Sequence, residues 1–588
     1  MRTEAIQRGW DRRVPRPQLD DYARAISNFR WSEVARELTS PMQASGFNLG
    51  VLAVDRHCGV DGDETVALRW IGSEGVNRAY TFHELRDQSN RFANLLRWLE
   101  VRDGQSVFTL LGRTPALYIA AIGALKNRNV FCPLFSAFGP EPVSQRLSLG
   151  RARALVTTAR IYQRIVEPLR AQLPDLAHVL LIDDSTDIPQ TYSFDQLMRE
   201  SSPEFMVQKT DPEDPAILHF TSGTTGAPKG VVHVHGAATA HYATSRFALD
   251  LRSNDVFWCT ADPGWVTGTS YGILAPLLHA AQNLVVEQDF DGERWYQIIQ
   301  DHAVEVFYTS PTAIRMLMKL GPGLPSRFDL SSLRVVASVG EPLNPEAVRW
   351  GHENLGLPIL DNWWQTETGG IMIANARNQE IRPGSMGRPL PGIEAGIVHR
   401  RDDGGLDIID EPNVEGEIAL RAGWPSMMRA YLNRPERYRE CFREGWYLSD
   451  DLGRRDEDGF FWFLGRADDM IKTAGHRIGP FEIESVLMEH PAVAEAAAIG
   501  KPHATAGEIV KAFVQLKDGF EPSAELEREL LALARKRLGS VSAPREIEIT
   551  EELPKTRSGK IIRRLLRTRE RGIDAGDTST LATHEASA

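Results

Sequence analysis

Four cysteines, at Cys58, Cys132, Cys259 and Cys441, are too few and too scattered for a disulfide framework, and no CxxC pair is present to hold zinc. They read as small buried hydrophobes in a chain suited to a reducing cytoplasm. Long apolar runs are also missing. The longest, Ala116 to Leu125, stops at Lys126-Asn127-Arg128 and is too short to span a bilayer. Met1 to Arg13 is polar and mixed in charge, without the apolar centre of a secretion signal. There is no basic excess: 67 Lys and Arg stand against 79 Asp and Glu, a formal net charge of -12. This argues against nucleic acid as the main partner, while a locally positive cleft remains open to anionic ligands. Internal repeats are absent.

What is present is an alternation of short apolar runs and helical patterns over 588 residues, too long a chain for one core. After a partly helical lead-in to about residue 60, Ser106 to Leu111, Asn129 to Cys132, Ala154 to Thr157 and His178 to Ile182 read as strands. Pro115 to Lys126 reads as a helix with proline in its first turn. The fold expected is a large α/β N-terminal domain with several sheets and packed helices, residues 1–467, hinged to a small α+β C-terminal domain, residues 468–570. In the latter, Pro480 to Leu487 opens a helix, and Ile509 to Leu516 and Glu546 to Thr550 read as strands. A second helix from Ser523 carries a Leu526, Leu530, Leu533 stripe and is expected to stop at Gly539. Residues 571–588 are small and polar, with the composition of a disordered tail.

Thr221-Ser-Gly-Thr-Thr-Gly-Ala-Pro-Lys-Gly230 follows the apolar run Ala216 to Phe220. Glycines let backbone N–H groups approach an anion, hydroxyls add donors and Lys229 adds charge, which together make a phosphate cradle. It is not a Walker A loop, because Pro228 stands where the second glycine is needed and Gly230 follows Lys229. The segment resembles the signature loop of the adenylate-forming superfamily: acyl-CoA synthetases, peptide-synthetase adenylation domains and luciferases. By that resemblance Thr221, Ser222, Gly223, Thr224, Thr225, Gly226 and Lys229 hold the phosphates of ATP.

Other segments resemble the same family in the same order. Gly340, Glu341 and Pro342 match the stretch beside adenine. Asp361, Asn362, Trp363, Trp364 and Gln365 match the lining of the nucleotide and acyl sites, with Thr366 at the α-phosphate and Glu367 at a phosphate-bridging Mg2+. Tyr447 to Asp451 resembles a strand end carrying a ribose-binding carboxylate. The family has glycine where this chain has Asp450, and spacing to Arg454-Arg455-Asp456 selects Asp451. Arg466 matches a ribose contact, Asp468 the hinge and Arg477 a phosphate contact. Lys560, in Pro554-Lys-Thr-Arg-Ser-Gly-Lys560, matches the lysine that stabilises charge between carboxylate and α-phosphate. Read without these neighbours, Lys555, Lys560, Arg563, Arg564 and Arg567 would equally suit a solvated basic face.

Within the superfamily the closest likeness is to acetyl-CoA synthetases of the shorter bacterial type, carried by Ala261 to Tyr271 and by the Trp363-Trp364 pair. That likeness makes Val266, Thr267, Val339 and Trp364 the acyl pocket, with the Trp364 indole excluding long acids. It implies a ligase using acetate, ATP, Mg2+ and coenzyme A, with Ala474, Gly475 and Arg535 on the CoA side. It further implies a second cation at Met488, His490 and Val493, and a lysine acetyltransferase and deacetylase acting on Lys560. Propionate or another short acid is the alternative substrate. A nucleotide-binding regulator without catalysis is the alternative class, against which Lys560, Glu367 and Arg477 argue.

Overall fold

The computed structural model describes residues 5–6, 15–40, 46–59, 64–73, 75–183, 188–222, 228–377, 379–473, 476–503, 507–555 and 561–571. The expected alternation builds two large sheets and a smaller third one. The first has eight strands. Ser106–Leu110, Val130–Leu134, Ala152–Thr157, His178–Leu181 and Tyr192–Ser193 are parallel, and Pro215–Ser222 joins parallel to Val130–Leu134. The chain then doubles back. Pro228–Val234 pairs antiparallel with Pro215–Ser222, setting Thr221 opposite Lys229.

In the second sheet Val66–Ile71, Gln282–Val286, Val256–Cys259, Val306–Thr309, Val335–Ser338 and Leu360–Trp363 form a parallel half. It continues, through Ile373–Ala374 and Ser385–Pro389, into an antiparallel half containing Phe461–Arg466, Trp446–Arg455 and Glu415–Arg421. The parallel strands are near-continuous apolar runs because both faces are covered.

Pro115–Lys126 has the bounds its sequence announces, with proline at its start. It carries no amphipathic stripe, since Leu117 through Lys126 are all buried against Phe82–Trp98, Leu49–Ala53 and the first sheet. Lys126 survives there by pairing: its Nζ lies 2.5 Å from Asp55 and donates to Asn90 Oδ1 at 2.8 Å.

The third sheet comprises Ile471–Thr473, His476–Ile478, Gly507–Leu516, Val493–His503 and Glu546–Ile549. Helices Pro480–Met488 and Ala524–Ser542 cover it around Ile483, Leu487, Val510, Val514, Leu526 and Leu530. Gly539 does leave helical geometry, at φ +76°, but a further turn carries the helix to Ser542, so the expected stop is a kink. Asp451 lies inside the strand Trp446–Arg455, not at a strand end. The tail expected from 571 falls, beyond Arg571, outside the described residues.

The loop after Val256–Cys259 lies tightly on the first sheet. A Cβ added at Gly264 would stand 2.3 Å from the Phe135 nitrogen, so only glycine lets the two backbones meet. Gly264→Ala is therefore expected to cost about 1–3 kcal/mol of folding free energy, read as a lower urea midpoint, and to displace the neighbouring Val266 and Thr267.

Candidate active site

One large cleft of about 1540 Å³ opens where the two large sheets and the C-terminal unit converge. It sits outside the carboxyl ends of the second sheet's parallel strands, the place where open α/β sheets present ligand-binding loops. Thr221 and Lys229 reach it from the hairpin of the first sheet. Val266, Thr267, Val339, Gly340, Glu341, Pro342 and Asp361 to Glu367 reach it from the second. Asp451, Arg466 and Asp468 line its far side, and Lys555 and Arg563 come from the C-terminal unit.

Asp451 is held by several partners. Its Oδ2 accepts from Trp363 Nε1 at 2.9 Å and from Gln365 Nε2 at 2.8 Å, and Arg466 stands 3.9 Å from Oδ1. Tyr447 donates to Gln365 Oε1 at 2.7 Å, fixing the amide's orientation. Asp450 is committed elsewhere. It sits in the left-handed region, φ +58°, and binds Arg400 at 2.7 Å and Arg437 at 3.2 Å, while its own N–H donates to Glu417. Those partners explain how an aspartate occupies a conformation that favours glycine.

Glu367 accepts from the Tyr431 hydroxyl at 2.7 Å, and Lys229 Nζ lies 5.2 Å from the Tyr431 ring. Burial, then the neighbouring carboxylate, push the Tyr431 phenol far above its ordinary value, so it stays a donor. Glu341 accepts from Thr312 at 2.7 Å and from Arg315 at 2.8 Å. Asp361 is fully buried, and burial raises its carboxyl well above the usual range. Asn362 donates to the Ser338 carbonyl and accepts from Tyr308. Thr221 Oγ1 is buried with no hydrogen-bond partner among the described residues, a hydroxyl beside Lys229 that suits an anionic ligand.

At the apolar end Val339 is buried, Val266, Thr267 and Trp364 are half-buried, and Trp364 packs edge-on against Tyr271 at 5.1 Å. Tyr271 is itself pinned by Thr244 and the Ile371 N–H. Asp262, also lining the cleft, is pushed up to about 6 by burial, against the lowering effect of Arg113 and the Gly264 N–H.

The remaining expected residues are placed differently. Arg535 is exposed on Ala524–Ser542, away from the cleft lining. Met488, His490 and Val493, expected to hold a cation mostly through backbone carbonyls, lie where the helix Pro480–Met488 leads into the strand Val493–His503, and the His490 carbonyl accepts from the Val493 N–H at 3.0 Å. Gly223, Thr224, Thr225, Gly226, Ala474, Gly475 and Lys560 lie outside the described residues, as do the side chains of Ser222 and Arg477.

Two histidines were not foreseen from the sequence. His233, on Pro228–Val234, places Nε2 2.9 Å from the Thr366 carbonyl, and His241 donates from Nε2 to the Gly369 carbonyl at 2.9 Å. Both grip the turn that follows Leu360–Trp363. Gly369 has φ +68°, and a Cβ there would stand 2.2 Å from the Ser426 carbonyl. Trp424 and Ser426 each donate to the Thr368 carbonyl at 2.8 Å. The only sequence sign was the polar interruption His233-Val-His235 in an apolar strand.

Parallel sheets with a cleft at their carboxyl ends, a hydroxyl-and-lysine hairpin and a small α+β unit bearing on that cleft define a two-unit nucleotide-dependent enzyme. The chain belongs to the AMP-binding enzyme family: residues 54–432 match that family, and residues 482–560 match the AMP-binding enzyme C-terminal domain. It is 44% identical to the acetyl-coenzyme A synthetase of Bacillus subtilis (strain 168) over 96% of this chain and 97% of that protein. It is 41% identical to the acetyl-coenzyme A synthetase of Rubrobacter xylanophilus, over 95% and 91%. Among solved structures, an acyl-CoA synthetase from Brucella canis superposes with TM-score 0.73 at 36% identity, covering 94% of this chain and 99% of that one. The anthranilate CoA ligase AuaEII, solved with anthranoyl-AMP, superposes with TM-score 0.82 at 28% identity, covering 92% and 99%.

Burial lowers the imidazoles of His233 and His241 to about 4. The unfolded chain, with ordinary histidines near 6.5, therefore takes up protons first on acidification. Stability is full at pH 7 and above, and falls as pH drops through 6.5 towards 4. At pH 5 each imidazole removes about 2 kcal/mol. Urea unfolding at pH 7, 6 and 5 is expected to show a falling midpoint, less steep in His241→Gln by one imidazole's share.

Proposed function

We propose that this chain is an acetate–CoA ligase. It joins acetate, ATP and coenzyme A to give acetyl-CoA, AMP and pyrophosphate through acetyl-adenylate. The observation that carries the reading is the meeting, in one cleft, of the Thr221–Lys229 hairpin, the Asp451 constellation and a short apolar end stopped by Trp364 against Tyr271. Names of relatives covering nearly the whole chain support it.

Lys229 and the hairpin hydroxyls meet the phosphates, Asp451 accepts from the ribose hydroxyls, and Gly340 to Pro342 border the adenine. Glu367, with one oxygen taken by Tyr431, offers the other to the Mg2+ that accompanies ATP. When bound, that ion neutralises phosphate charge. A carboxylate oxygen of acetate attacks the α-phosphorus, the bond to the bridging oxygen breaks and pyrophosphate leaves. Lys560 offsets the negative charge gathering between the two anions. The unit from residue 468 then turns about Asp468, withdrawing Lys560 and bringing Ala474 and Gly475 to the cleft. The CoA thiol, losing its proton, attacks the acyl carbon, the carbon–oxygen bond to AMP breaks and AMP departs. Arg535 meets the CoA nucleotide in that second arrangement. Acetylation of Lys560 by a lysine acetyltransferase would remove its charge and arrest the first step. A cytoplasmic setting suits these substrates, and no described helix is long and apolar enough to cross a membrane.

A pocket stopped by an indole excludes long acids sterically, but one methylene is worth only about 1–3 kcal/mol, so propionate should be a poorer second substrate. Acid-dependent ATP–pyrophosphate exchange tests this. Exchange is expected with acetate, less with propionate and none with octanoate, and should fall about a hundredfold or more in Lys560→Ala. Trp364→Gly should admit longer acids. Octanoate exchange in the unaltered chain would sink the Trp364 assignment. Absence of exchange with every acid would return the chain to the non-catalytic alternative.

A further inference from the structure

A buried guanidinium connects the cleft to the C-terminal unit. Arg315, on the helix Pro311–Lys319, is only 8% exposed. Its Nη2 donates to Glu341 Oε2 and Thr312 Oγ1, each at 2.8 Å. Its Nε donates to Glu495 Oε1 at 2.9 Å. Glu341 lines the cleft, whereas Glu495 belongs to Val493–His503 of the third sheet and is buried. The second oxygen of Glu495 is held by Lys555, which lines the cleft from the segment leading to Lys560. A chain of alternating charge, Glu341–Arg315–Glu495–Lys555, thus runs from the nucleotide side of the cleft to within five residues of Lys560. On the same face Asn344 donates to Ser485 at 3.0 Å.

Groups buried this deeply carry charge only because each is paired. Arg315 raises its ordinary value through Glu341 and Glu495 together, against desolvation. In the turn about Asp468 proposed above, Arg315 would keep Glu341 and lose Glu495, with Glu495 and Lys555 moving together into water. The bridge would therefore exist in one arrangement only, and in it Lys555, the last described residue before Lys560, is fixed relative to Glu341.

We propose that Arg315 is a positioning residue for adenylate formation: its bridge to Glu495 holds the C-terminal unit docked on the Glu341 side of the cleft, and it must break before the thioester forms. This rests on the ligase reading above. The test compares full-length Glu495→Gln and Glu495→Asp with the unaltered chain in two assays. One is acetate-dependent ATP–pyrophosphate exchange, and the other is acetyl-CoA formation from supplied acetyl-AMP and CoA. In Glu495→Gln, exchange is expected to fall about tenfold or more while thioester formation stays within about twofold. Glu495→Asp, which keeps the charge at shorter reach, should fall between. Equal loss in both assays, or loss in neither, overturns the proposal. If Glu495→Gln does not fold, the same split read in Glu495→Asp decides. An unaltered chain without exchange overturns the ligase reading itself, whereas the variants bear on the bridge through Glu495, which joins Arg315 to Lys555.

Discussion

Two neutral imidazoles hold the cleft's floor. The two large sheets come together at the turn between Leu360–Trp363 and Ile373–Ala374, and His233 and His241, both from the first sheet's side, bind the carbonyls of Thr366 and Gly369 there. The residues that this turn presents to the cleft depend on its position. Glu367 stands between the two bonded residues, and Gln365, which orients Asp451, precedes them. An imidazole suits this task because burial keeps it uncharged while leaving one strong N–H donor. A lysine or arginine in the same place would bring a charge with no carboxylate to balance it.

The rest of the cleft manages charge by pairing. Its carboxylates are numerous for a site proposed to take a polyanion, but those with described partners are already engaged: Asp451 with indole, amide and Arg466, Glu341 with Arg315, Asp450 with Arg400 and Arg437. Paired carboxylates orient cations and hydroxyl-bearing ligands without opposing phosphate at close range. Overall acidity of -12 and a cleft fit for anions are thus compatible, because local pairing, not net charge, sets the field a ligand meets.

Legibility in the sequence followed the range of the interaction. Pro115–Lys126 was readable to the residue, since a proline start and an apolar run are local facts. The Thr221–Lys229 hairpin and the Asp361–Glu367 segment were readable as contiguous motifs, and the structure brings their described residues to one cleft. Asp451, chosen over Asp450 by spacing, accepts from Trp363 and Gln365, while Asp450 is held by two arginines, a difference in partners that the sequence does not show. The histidine grip was not readable, because a buried side chain bonded to a distant backbone carbonyl leaves no pattern in composition or spacing. The same holds for Arg315 and Glu495, 180 residues apart. Trp364, just past the strand Leu360–Trp363, was singled out from the sequence, yet its ring partner Tyr271, on the helical turn Ser270–Leu274, emerges only from packing.

The junction between the two units separates two jobs that a single strong contact could not combine. At the connecting segment Arg466 and Asp468 form a pair at 3.3 Å with both side chains more than a third exposed, a contact that water and salt keep weak. Such a pair can reform in several backbone arrangements at little cost, as the pivot proposed at Asp468 requires. Away from the pivot, Arg315 and Glu495 meet with side chains 9% and 4% exposed, where the partner geometry is specific and an unpaired charge is expensive. Within the C-terminal unit Arg563 pairs with Glu484 at 2.7 Å and with Asp469 at 3.9 Å, which ties the helix Arg563–Arg571 to the segment beside Asp468. Weak at the connecting segment, selective at Arg315–Glu495 and tied together within the C-terminal unit is the distribution of contacts that the proposed turn about Asp468 calls for.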